Sequence, residues 1–240
     1  MPISAMTMKT WLLLACALAL SAQAAEPLSR VSPARTPQEA GLSDIRSLVP
    51  DIAEDIHYAK SDNFTGAPVD GYGAPKCLLR TAAAQALARV EASLRRDGYR
   101  LRLWDCYRPA RAVAAFVRWA GDLSETRTKA EHYPNLGKDK LLGEYIAPIS
   151  GHSRGATVDL TLMHCESTRC TPLDMGTDFD FFDPRAHTDN PGVSAVQRAN
   201  RQRLLQAMAA EGFVNYALEW WHYSLPSAVA ADTIYDVPVE

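Results

Sequence analysis

The segment from Thr81 to Asp105 constrains the fold of this chain more than any other. Ala83, Ala86, Leu87, Val90 and Leu94 recur at the spacing of one helix face, so Thr81 to Arg96 reads as an amphipathic helix. Asp97-Gly98 stops it, because glycine accepts the left-handed backbone on which many helices end. Arg100-Leu-Arg-Leu-Trp-Asp105 then alternates polar and apolar side chains, the period of a strand with one buried face. A helix followed at once by such a strand predicts helix packed on sheet.

The rest of the chain extends this pattern. Pro109 suits the first turn of a helix over Ala110 to Ala120, and a third helix runs from Ser194 to Glu211 before Gly212. Thr157-Val-Asp-Leu-Thr-Leu162 alternates as a strand whose outward or site-facing set is Thr157, Asp159 and Thr161. Asp51 to Tyr58 reads as a short strand, and Phe213 to Glu219 with Trp221 to Leu225 as closing strands. Residues 26 to 44 read as a loose lead-in, Ser61 to Lys76 as a loop, and 121 to 148 and 164 to 193 as irregular. No regular βαβ alternation is present. The expectation is an α+β fold, with helices packed on a small, largely antiparallel sheet.

The first residues are not expected to belong to that fold. Met8-Lys-Thr is a short positive start, Trp11 to Leu20 is apolar, and Ala22-x-Ala24 fits a cleavage site. The apolar run is too short to span a bilayer comfortably. Residues 1–24 therefore read as a secretory signal peptide and 25–240 as one domain, with Met8 able to serve as the start. Lipid attachment at Cys16 and a buried N-terminal helix stay open as alternatives. Export to the periplasm would leave four cysteines in an oxidising compartment, where an even number suggests disulfides. Cys165 and Cys170 are close enough to staple a small loop, which leaves Cys77 to pair with Cys106. Free buried thiols are the alternative. A net charge of −3 and scattered arginines give no ground for nucleic acid or an anionic membrane as partner.

Two segments carry the chemistry. Ser150-Gly-His-Ser-Arg-Gly155 places His152 on a loop that feeds the strand bearing Asp159. Glu219-Trp-Trp-His222 offers a second imidazole and another carboxylate. Two histidines and one carboxylate leave a fourth position on zinc open, as catalysis requires. Glu219 would then act as base on the attacking water. Residues three apart face opposite sides of a regular strand, so one site holding Glu219 and His222 needs a bend or bulge near Trp220. The alternative is an aromatic core of Trp220, Trp221 and Tyr223 that leaves Glu219 and His222 exposed. Arg108, between a strand and a helix, could stabilise an oxyanion or could be an ordinary surface arginine.

The combination Ser-x-His-x6-Asp with Glu-x-Trp-His resembles the zinc D-alanyl-D-alanine peptidases, which share a fold group with the Hedgehog signalling domain. Further runs resemble the VanX-type D-alanyl-D-alanine dipeptidases: Tyr58-Ala59, Asp62-Asn-Phe-Thr-Gly66, Trp104-Asp105, Tyr107-Arg-Pro109, Met175-Gly176 and Phe179-Asp180. The resemblance runs from about Asp55 to the C-terminus. It implies one zinc ion per chain held by His152, Asp159 and His222, Glu219 as general base and acid, and Arg108 on the tetrahedral intermediate. It also places Tyr58, Ser150 and Asp180 near a small D,D-dipeptide, with Asp180 pairing its ammonium group. Cys106 departs from the glycine often found before Tyr-Arg-Pro. A murein D,D-carboxypeptidase and a non-catalytic zinc-dependent binding module are the rival readings.

Overall fold

The computed structural model describes Met1 and residues 29–240, apart from 168 and 231. The expected leader, with Cys16, lies outside the described residues apart from Met1. In chain order the elements are β1 (Arg30–Val31), β2 (Leu42–Asp44), β3 (Ala53–Glu54), β4 (Leu78–Arg80), α1 (Thr81–Arg96), β5 (Tyr99–Asp105) and α2 (Ala110–Gly121). There follow α3 (Lys129–His132), β6 (Thr157–Glu166), β7 (Arg169–Pro172), α4 (Ala195–Ala210), β8 (Val214–Asn215), β9 (His222–Ser224) and β10 (Thr233–Ile234).

The amphipathic stripe of α1 is buried in full and lies on β5, with α4 packed against α1 and β6. Apolar burial on that scale is the main favourable term in folding. The α4 helix starts on a reciprocal cap between Ser194 and Gln197. It ends before Gly212, which takes a φ of 85°. The main sheet has the order β3–β5–β6–β9–β8, with β7 beside the far half of β6. Every pairing in it is antiparallel except β3 with β5. The α+β expectation holds.

Four local expectations need correction. Residues 26 to 44 are not a loose lead-in where described: Arg30–Val31 pairs with β10 and Leu42–Asp44 with β4. Such short strands leave too little periodicity to read. The strand expected over Asp51 to Tyr58 shrinks to Ala53–Glu54, because the chain then turns over His57–Ala59 and buries Tyr58. Of the outward or site-facing set, the outward half fails: Thr157, Asp159 and Thr161 are all buried because β6 is central, and Asp159 faces the site. Residues 164 to 193 are not irregular throughout, since β6 runs on to Glu166 and turns back as β7, with Cys165 opposite Cys170.

The register at the centre of the sheet lines up polar residues. Asp105 of β5 pairs with Asp159 of β6, and Asp159 pairs with His222 of β9. Three adjacent strands thus set three polar residues in one row across the sheet. The β5–β6 pairing shifts between Leu103 and Asp105. Such irregularities re-aim side chains beside functional sites.

Candidate active site

His152 sits on a single 3₁₀ turn, Gly151–Arg154, that leads into β6. Ser150 starts the turn: its hydroxyl accepts the His152 N–H at 3.2 Å. Gly155 ends it with a φ of 81°, where an added Cβ would meet Leu42 at 2.7 Å. The positive φ favours glycine there, and any larger residue would also push Leu42 aside.

The bend expected near Trp220 is a turn. Glu219 N–H donates to Tyr216 O at 3.0 Å, and His222 N–H to Glu219 O at 3.2 Å. Asn215 braces the turn by donating to the carbonyls of both Glu219 and His222, each at 3.0 Å. Trp220, Trp221 and Tyr223 do form an aromatic core, but Glu219 is buried beside it rather than exposed.

The ligand atoms of His152, Asp159 and His222 lie within 4.8 Å of one another. His152 Nε2 is 3.3 Å from Asp159 Oδ2, and His222 Nδ1 is 3.0 Å from Asp159 Oδ1. His152 Nδ1 lies 2.7 Å from the Cys106 carbonyl. A carbonyl only accepts, so Nδ1 carries the proton and Nε2 presents a lone pair. Asp159 Oδ1 is buried, and although His222 Nδ1 lies 3.0 Å away, no described residue gives it a well-formed hydrogen bond. Burying a charged oxygen with its hydrogen bonding incomplete is costly. A cation between these three side chains would satisfy it, so the donor set fits a metal ion.

Electrostatics sharpen the roles. Burial works to raise the Asp159 carboxyl, but the imidazoles of His152 and His222 hold it below the usual carboxylate range. Burial pushes the Glu219 carboxyl up to about 7, aided by Asp159 and opposed by His222. A bound dication would draw it down again. Glu219 Oε2 is 3.4 Å from His222 Nδ1, so it borders the donor set.

Arg108 is largely enclosed, its side chain 12% exposed, and is not an ordinary surface residue. Its Nε and Nη2 lie 3.0 and 2.8 Å from Asp105 Oδ2, and Nη1 is 3.5 Å from Ser150 Oγ. Its guanidinium stands over the rings of Tyr58 and Phe116. Burial opposes its charge, but Asp105 and Asp159 more than restore it. In the sequence Asp105 shows only as part of the Trp104-Asp105 run, with no role attached to it. Fully buried, it also accepts the Tyr72 hydroxyl at 2.6 Å and lies 3.3 Å from His152 Nδ1. Apart from Arg108, its partners come from separate segments, so no local pattern could have revealed its role.

Asp180 lies 122 residues along the chain from Tyr58, whose hydroxyl donates to its Oδ2 at 2.9 Å. Burial, then the Asp159 charge, raises the Asp180 carboxyl well above its ordinary range. Its backbone is left-handed, with a φ of 54°. The His132 ring meets its carbonyl at 3.0 Å. A cavity of about 280 Å3 collects Tyr58, Arg108, Ser150, Asp180, Glu219 and the three donors His152, Asp159 and His222. Residues 143–147, with Ile149, form its outer wall, and Tyr216 ties that wall down through Glu144 O at 3.2 Å.

A two-histidine, one-carboxylate set beside a buried acid and a guanidinium, on a small antiparallel sheet, defines a metallopeptidase. Comparison with known proteins gives the family. A family model described as D-ala-D-ala dipeptidase matches residues 38–240, and the chain belongs to that family. It is 45% identical over 196 residues to the D-alanyl-D-alanine dipeptidase of Streptomyces coelicolor, covering 81% of this chain and 96% of the relative. The enzyme of the same name from Enterococcus faecium is 38% identical, over 84% of this chain and all of the relative. That from Escherichia coli is 33% identical, over 81% and 90%.

Proposed function

We propose that the protein hydrolyses free D-alanyl-D-alanine with a zinc ion held by His152, Asp159 and His222. Nitrogen and carboxylate donors with a vacant fourth position suit that metal. The ion, when bound, supplies Lewis-acid polarisation of the scissile carbonyl and acidifies water. Glu219 takes the proton of the attacking water and returns it to the leaving amine. Its buried carboxyl suits both steps, because a base works best with a pKa near the working pH. Arg108, fixed by Asp105, meets the negative charge that grows on the carbonyl oxygen. Asp180 receives the substrate ammonium, which restores its charged form. Tyr58 holds the Asp180 carboxylate, and the Ser150 hydroxyl lines the same wall as Arg108.

The observation that carries this reading is the gathering of all these groups in one small cavity. Its volume falls just below the range of roughly 300–1,000 Å3 usual for small-molecule sites. A longer stem peptide would have to pass Asp180, and an acylated amine has no charge to offer it. We further read residues 1–24 as a leader and the protein as periplasmic. Cys77 with Cys106, and Cys165 with Cys170, stand at bonding distance, which agrees with an oxidising compartment. The test compares free D-alanyl-D-alanine with an N-acylated peptide ending in the same dipeptide. The proposal expects turnover of the first and little of the second. Preference for the acylated peptide would establish the carboxypeptidase reading, and zinc binding without either hydrolysis would establish a binding module.

A further inference from the structure

The pair Cys77 and Cys106 lies against the donor set rather than at the edge of the fold. Cys106 directly follows β5, and its carbonyl is the group that His152 Nδ1 meets at 2.7 Å. The direction of that carbonyl is set by the planar peptide to Tyr107. Tyr107 N–H donates to Leu78 O at 2.9 Å, on the residue after Cys77. From Cys77 the chain enters β4, and Arg80 N–H donates to Gly155 O at 2.6 Å. Gly155 ends the turn that bears His152. A closed circuit therefore runs from His152 to Cys106, through the cystine to Cys77, along β4 to Gly155, and back to His152. Its two noncovalent closures are hydrogen bonds, the one at His152 backed by Arg108 N–H donating to His152 O at 3.3 Å. The cystine is the covalent one, and both of its residues are fully buried.

We propose that the Cys77–Cys106 cystine is a positioning element of the metal centre. It holds the Cys106 carbonyl against His152 Nδ1, and so keeps Nε2 unprotonated and aimed at the ion. This rests on His152 being a ligand. Groups that orient a ligating imidazole typically change metal affinity by about 10–100-fold when removed. The second cystine supplies the comparison. Cys165 and Cys170 face each other at the distal end of the β6–β7 pair, and Cys165 is six residues beyond Asp159. At about 3.3 Å per residue that places it roughly 20 Å from the donor set. It staples the sheet without touching the site.

The test measures zinc affinity and zinc release by chelator competition in the mature protein, in C77A/C106A and in C165A/C170A, each below its unfolding temperature. The expected result is zinc bound at least tenfold more weakly by C77A/C106A, with faster release, and within about twofold of the parent by C165A/C170A. The cobalt-substituted protein adds a spectroscopic readout: its d–d bands should shift in C77A/C106A alone. Parent-like affinity and bands in C77A/C106A would overturn the proposal. Equal weakening in both variants would also overturn it, by showing that lost stability is the cause. A parent that binds no zinc would instead refute the ligand assignment itself. If C77A/C106A does not fold, C77V/C106A refills the buried volume and carries the same test.

Discussion

Replacing Arg108 by lysine separates charge from geometry at the site. The guanidinium places two nitrogens on Asp105 Oδ2, at 3.0 and 2.8 Å, while Nη1 points towards Ser150 in the cavity. A lysine ammonium is a point charge and cannot serve Asp105 and the cavity from the same fixed fork. R108K should therefore keep the buried Asp105 paired but lose the donor on the developing oxyanion. Removing one such donor typically costs about 2.7–4 kcal/mol, or a factor of roughly 10²–10³ in kcat. Because that contact is made in the transition state, KM should change little. R108A differs. It leaves Asp105 with the Tyr72 hydroxyl and no cation, and breaking a buried pair this way costs roughly 3–5 kcal/mol of stability. Steady-state kinetics on the free dipeptide and thermal unfolding of both variants check this. R108K with kcat within about threefold of the parent would refute the assignment, as would a loss confined to KM.

The other groups of the cavity make their own predictions. D180N should raise KM for the free dipeptide by about 10–100-fold, the worth of a hydrogen bond to a charged group. Burial raises the Asp180 carboxyl, so it takes up a proton at higher pH than an ordinary aspartate as pH falls. The parent's KM should then climb on acidification, and that slope should vanish in D180N. Burial lowers and Asp159 raises the affinity of His222 for a proton, with a net rise in the metal-free protein. Protons thus compete with the ion at His222, and zinc affinity measured by chelator competition should fall steadily from about pH 8 to about pH 6. Metal affinity independent of pH over that window would contradict His222 as a ligand.

The sequence is most legible where one period runs for several turns. The α1 stripe and the alternation of β5 each depend on neighbours a few residues away, and both elements form almost as read. The step from Glu219 to His222 is legible for a different reason: two side chains in one site with the wrong spacing force a bend. Short strands stay hidden. β1 and β7 owe their existence to a partner strand and to the Cys165–Cys170 closure, not to their own composition. The roles of Asp105 and Asn215 stay hidden too. One gains its role by lying across from Asp159, the other by reaching two carbonyls of the turn before β9. Such roles belong to register and turn geometry, which a linear reading does not contain.

The most direct test is a paired measurement on E219A: zinc content per chain and turnover of free D-alanyl-D-alanine. Glu219 borders the three donors without belonging to them, so the variant should hold one zinc ion like the parent. Its kcat should fall by at least the roughly 10²–10⁴ that general acid–base catalysis typically contributes. Near-parental turnover with zinc in place would contradict the account, because the buried acid beside the metal set would then have no part in the reaction.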